Sequence, residues 1–131
     1  MKKELDNLYL KNDFNCAEST LRAANQDYNL NLKVEDLKLS AGFGGGMGCG
    51  LTCGLLAADI MVLSMVFVKS RAHEDPAFKT LCKDFVSEFR KQFGGTTCLY
   101  IKKKCANPST RCLSAVEANY TLLQQFIKSH K

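Results

Sequence analysis

The chain has 131 residues, 46% of them apolar and 24% charged, with a formal net charge of +5. That length is one domain's worth and can bury a core without covalent staples, and the ordinary composition excludes a disordered or low-complexity protein. Residues 1–78 carry 8 basic and 10 acidic side chains, a balance of −2, whereas residues 79–131 carry 10 and 3, a balance of +7. The basic half lacks the interleaved aromatics or reading motif of a nucleic-acid interface, so it reads as a solvated face, and no nucleic-acid partner is expected.

Tryptophan is absent and only two prolines occur, Pro76 and Pro108, which favours long helices over many short strands. Residues 2–10 read as a short helix with Leu5, Leu8 and Tyr9 on one side. Asn12 or Asp13 is placed to cap a helix over about 14–27, whose inward face would be Phe14, Ala17, Leu21 and Ala24. Val34, Leu37 and Leu39 suggest another short helix before the glycines. Residues 51–68 are apolar almost all round and predict a central core helix. A membrane span is rejected there, because Asp59 sits mid-segment and an unpaired carboxylate in lipid is costly. Asp75-Pro76 starts a helix that runs to Phe93 on a stripe of Phe78, Leu81, Cys82, Phe85, Phe89 and Phe93, and Gly94-Gly95 ends it. A short segment from Cys98 to Lys104 leads to a last helix ending near Ser129, with Leu113, Val116, Tyr120, Leu123 and Ile127 as its seam. No stretch alternates with period two. The expected fold is therefore all-α: one domain over 1–131, a bundle of about five helices around the central apolar helix 51–68.

Cysteine is the outlier, with seven at positions 16, 49, 53, 82, 98, 105 and 112. An odd number cannot pair completely within one chain, and Met1–Asp6 lacks the apolar stretch of a secretory signal. A reducing, cytoplasmic compartment is expected, where cysteines are buried fillers, metal ligands or redox thiols. Helix starts favour the thiolate through unpaired N–H groups and the helix dipole. Cys16, Cys53, Cys98 and Cys112 all fall near predicted helix starts, each in a different part of the chain, and could meet in a bundle. Their spacing matches neither C-x-x-C redox motifs nor zinc knuckles nor haem attachment. Cys82 reads as core filler and Cys105, beside Lys102-Lys103-Lys104, as surface or loop; Cys49 is open. Of the two histidines, His73 lies in a polar turn and His130 beside the end, so a Cys-His pair is discounted.

Residues 42–50 hold six of the nine glycines. No frame fits G-x-G-x-x-G, and Leu51 stands where a phosphate-binding loop needs lysine, so a nucleotide loop is rejected. Two readings remain open: close helix packing, or backbone N–H groups of Gly44, Gly45, Gly46 and Gly48 brought up to a sulfur, a metal cluster or an anion.

Asn15-Cys16-Ala17-Glu18, Phe43-Gly44-Gly45-Gly46-Met47-Gly48, Cys53-Gly54, Phe93-Gly94 with Cys98, and Cys112 follow one another in the order of a known pattern. Over residues 15 to about 119 the chain resembles the bacterial redox-active protein family named for its cysteines, C_GCAxxG_C_C. It departs at Thr52-Cys53-Gly54-Leu55-Leu56-Ala57, where larger residues replace both flanking glycines of GCAxxG and glycine replaces the alanine. The resemblance implies a shared sulfur site at Cys16, Cys53, Cys98 and Cys112, with redox or metal–thiolate chemistry and no stated substrate.

Three functions compete. In the first, Cys53 is a nucleophilic thiolate, another of the four resolves the disulfide, and the partner is a redox protein or a small thiol. In the second, the four thiolates hold an iron–sulfur cluster or zinc for electron transfer or structure. In the third, the chain is a non-enzymatic helical module whose basic half binds a protein. A homo-oligomer is compatible with all three, and a membrane partner with none.

Overall fold

The computed structural model describes residues 2–131. Among them the regular structure is helical, with no strand longer than an isolated bridge. There are seven α-helices rather than about five: α1 (Lys2–Asp6), α2 (Cys16–Asp27), α3 (Val34–Leu37), α4 (Gly54–Phe67), α5 (Pro76–Phe93), α6 (Cys98–Cys105) and α7 (Leu113–His130). Three of them, α1, α3 and α6, have eight residues or fewer.

Local chemistry sets most boundaries. The cap of α2 is Asn15, not Asn12 or Asp13: its Oδ1 accepts the Glu18 N–H at 2.9 Å while Glu18 Oε1 accepts the Asn15 N–H at 3.0 Å, a reciprocal capping box. Asp13 instead turns the chain, at φ 57°. Starting the helix two residues later leaves Phe14 only half-buried, under the Arg22 guanidinium at 3.9 Å, while Ala17, Leu21 and Ala24 reach the core as expected. Along α3 only Leu37 is buried; Val34 is 59% exposed, and Leu39, past the end of the helix, is 74% exposed. At α5, Asp75 caps through Ala77 N–H at 3.0 Å, Pro76 occupies the first position, and Gly94 at φ 81° closes the end.

The apolar helix begins at Gly54 rather than residue 51 and ends at Phe67. Gly50, at φ 77°, leaves Leu51 54% exposed, and Thr52 pairs with Thr97 instead of entering the helix. Nor is α4 an enclosed hub. Its main partner is α2, with α5 and α7 behind, and Met65 on its outer side is 44% exposed. Leu55, Ala58, Val62 and Leu63 face inward. Leu55, Val62 and Leu63 join Phe85 and Phe89 of α5 and Val116, Tyr120, Leu123 and Ile127 of α7 in one core. Each fully buried Leu, Val or Phe there contributes roughly 1.5–3 kcal/mol relative to exposure. Among the described residues no helix is long and apolar enough to cross a membrane.

Asp59, the residue that argued against a membrane span, is fully buried. Asn119 Nδ2 of α7 donates to its Oδ1 at 2.9 Å. Burial holds the Asp59 carboxyl well above the usual carboxylate range, with the Asn119 bond pulling weakly the other way. A neutral acid suits the site, because Asp59 Oδ2 and Asn119 Oδ1 are both buried and otherwise unpaired. A proton on Oδ2 can serve both, tying α4 to α7 without a buried charge.

Candidate thiol site

Four cysteines stand at four helix starts. Cys16 is the first residue of α2, Cys53 caps α4, Cys98 is the first residue of α6, and Cys112 caps α7. The backbone ties these starts together. A Thr52–Thr97 bridge is flanked by Cys53 N–H to the Thr96 carbonyl at 2.8 Å and Cys98 N–H to the Leu51 carbonyl at 2.6 Å, which locks α4 to α6. The Tyr9 hydroxyl accepts the Cys112 N–H at 3.1 Å, tying α7 to the N-terminal segment. At Gly54 a Cβ would lie 2.6 Å from Cys16 Sγ, so the bare glycine lets the Cys16 sulfur sit directly against the first residue of α4.

Cys16, Cys53, Cys98 and Cys112 consequently line one open cavity of about 600 Å³. All four are free thiols. Cys53 is buried and the other three are partly exposed. The sequence-predicted set is thus brought to one place, from segments spread over most of the chain.

The electrostatics do not make Cys53 a ready nucleophile. Burial pushes its thiol up to about 12, although the Leu55 and Leu56 N–H groups donate to the sulfur and pull the other way. Burial lifts Cys16 to about 11, first opposed by N–H groups of Ala17 and Gly45. The expected helix-start activation is present but smaller than desolvation. The nucleophilic-thiolate role expected for Cys53 therefore loses its support, since burial raises it as it raises Cys82. Cys112 is also raised, by burial first and then by Cys98 and Cys105, while Lys102 and Arg111 favour its thiolate. Cys98 is the common neighbour: its charge disfavours ionisation of Cys16, Cys53 and Cys112 alike.

Residues 14–126 match the family model described as "Putative redox-active protein (C_GCAxxG_C_C)". The chain belongs to this family. No curated protein matches it, and no solved structure does.

The C_GCAxxG_C_C pattern now has a geometric meaning in this chain. The glycine stretch is packing material first. Gly44 leaves room for the Asn15 cap and Gly46 for Cys98, where added Cβ atoms would come within 2.3 Å and 2.6 Å of those side chains. Gly45 lines the cavity and donates to Cys16, whereas Gly48, at φ 73°, is exposed with open space around it. The glycine that replaces the family's alanine, Gly54, makes the contact with Cys16 described above.

The cysteines outside the pattern are scattered. Cys49 is exposed, its thiol directed at the Gly46 carbonyl at 3.7 Å. Cys82 is half-exposed rather than core filler, because the stripe of α5 buries only Phe85, Phe89 and Phe93. Cys105 ends α6 half-buried against the core, near enough to Cys112 to affect its ionisation. His73 lies exposed in a turn, and His130 stacks on Phe126.

Two contributors escaped the sequence reading, Tyr9 and Arg111. Arg111, at φ 54°, lies over the Tyr9 ring at 4.2 Å and donates to the Tyr9 carbonyl and to Asp13 Oδ1, the latter at 3.3 Å. Its place directly before Cys112 was the available signal. Tyr9 carried none beyond its place on an apolar face.

Proposed function

We propose that the protein is a thiol–disulfide exchange protein whose reducing equivalents reside in Cys16, Cys53, Cys98 and Cys112. The observation that carries this is the shared cavity lined by all four thiols, each from a different helix start. Membership of the redox-active family supports the same reading.

Cys112 is the entry thiol in this scheme. It is partly exposed, and Lys102 and Arg111, which line the same cavity, favour its thiolate against the burial that raises its pKa. The Cys112 thiolate attacks one sulfur of a substrate disulfide, the S–S bond breaks, and the departing thiolate takes up a proton. The Cys98 thiolate then attacks Cys112 in the mixed disulfide and expels the second substrate thiol. Two protein thiols have become one disulfide, and two electrons have passed to the substrate. Cys16 and Cys53, both coupled to Cys98, form a second dithiol that can reduce the Cys98–Cys112 bond by the same exchange. An external dithiol closes the cycle.

The test is stoichiometric. Fully reduced protein mixed with a small disulfide should release the small thiol faster than a free cysteine derivative does. Cys112→Ser should abolish the fast release, and Cys98→Ser should trap the small thiol on Cys112, seen as a mass adduct. Equal rates for the protein and a free thiol, or equal loss from Cys49→Ser, would sink the reading.

Metal–thiolate binding draws on a different observation, the paired N–H donors at the Cys16 and Cys53 sulfurs, which favour thiolates. Among the described residues no three His, Cys, Asp or Glu side chains are grouped closely enough to hold an ion, so exchange ranks first. Metal analysis of anaerobically purified protein separates the two.

A further inference from the structure

We propose that the substrate of this cavity is a small anionic disulfide, whose carboxylates meet Lys102 and Arg111 while its S–S bond reaches Cys112. The proposal rests on the exchange reading and adds the substrate class.

Size comes first. A volume of about 600 Å³ lies within the roughly 300–1,000 Å³ usual for small-molecule sites. Charge comes second. Lys102 and Arg111 both line the cavity, and neither aspartate nor glutamate is among its described lining residues. Arg111 is held in place by the Tyr9 ring and carbonyl and by Asp13. The Asp13 carboxylate is 85% exposed and the Arg111 side chain 45%, so their pairing is screened and orients the guanidinium more than it cancels the charge. Both cations favour the Cys112 thiolate, the sulfur that would attack the substrate disulfide. The four helix starts add their positive dipole ends on the same side. Leu55, Ile101 and Pro108 add apolar wall to the polar Asn15 and Asn107, which suits a short carbon chain between the S–S bond and a terminal charge.

The chemistry balances without a further oxidant. The substrate disulfide accepts two electrons and two protons and leaves as two thiols, while Cys112 and Cys98 become a disulfide. A cationic disulfide would have to bring like charge to Lys102 and Arg111.

The experiment compares three disulfides of similar length: dithiodiglycolate (anionic), bis(2-hydroxyethyl) disulfide (neutral) and cystamine (cationic). Rates of protein thiol loss are each divided by the rate of the same disulfide with a neutral free thiol. The expected order is anionic, neutral, cationic, with about tenfold between the ends at low salt and a smaller spread at high salt. Lys102→Gln should narrow the spread and Lys102→Glu should narrow it further or invert it, with folding of each variant checked by circular dichroism. Normalised rates that are equal, or led by cystamine, overturn the charge proposal while leaving exchange intact. Should no disulfide outpace its free-thiol reference, the exchange reading fails and this one with it.

Discussion

Gly46→Ala should destabilise the protein by roughly 2–5 kcal/mol, the sum of left-handed backbone strain and overpacking. Gly46 is buried at φ 62°, and a Cβ there would lie 2.6 Å from Cys98 Cβ, 2.6 Å from Leu51 N and 2.7 Å from Leu51 O. Two of those obstacles are backbone, which cannot rotate away. Leu51 O is also the acceptor that holds the Cys98 N–H, so the clash strikes the link between α4 and α6. Gly48→Ala is the matched control: φ is 73° but nothing lies within 4 Å, and only the backbone strain of about 1–2 kcal/mol remains. Urea denaturation at neutral pH measures both. Equal effects would mean that the glycine loop does not pack on Cys98 as described.

Asp59→Asn should gain stability relative to the wild type as pH rises. The folded-state carboxyl is held well above its ordinary 3.8 by burial, so the folded protein binds this proton more tightly than the unfolded chain. Such a group stabilises fully below its unfolded pKa, and its contribution falls as pH rises through the folded one. An asparagine keeps a hydrogen-bonded neutral pair with Asn119 and does not titrate. The difference in unfolding free energy between variant and wild type should therefore be small near pH 4. It should grow by about 1.4 kcal/mol per pH unit above that until the folded-state pKa is passed. Parallel denaturation curves from pH 4 to 8 give the answer, and a difference flat across that range would show that Asp59 folds charged.

Much of the fold was legible because its signals are local. Asp75-Pro76 and Gly94 bracket α5, and the three- and four-residue steps of α7 place Val116, Tyr120, Leu123 and Ile127 in the core. The start of α4 was misread because apolarity alone does not report backbone direction. Gly50, in a left-handed conformation, turns Leu51 outward, and Thr52 is taken by Thr97, a partner distant in sequence. The main partner of α4 was missed for a related reason. Where α2 meets the start of α4, Ala17 lies beside Gly54, and so close an approach of small residues leaves little mark in a hydrophobicity pattern. At the site, positions near helix starts were readable, but burial was not. That is why Cys53 looked activated in sequence while desolvation lifts its thiol in the fold. Arg111 and Tyr9 were hidden because their contact joins residues on opposite sides of the chain's length.

Disulfide mapping decides whether Cys16, Cys53, Cys98 and Cys112 act as one redox unit, as proposed. Fully reduced native protein at high dilution would be treated with less than one equivalent of diamide, the remaining thiols alkylated, and the first crosslinks identified by mass spectrometry. The first bonds expected are intramolecular and join two of Cys16, Cys53, Cys98 and Cys112, with Cys98 the most frequent member and with Cys49 and Cys82 alkylated. First bonds that run through Cys49 or Cys82, or that pair Cys105 with Cys112 while Cys98 stays reduced, would contradict the proposal.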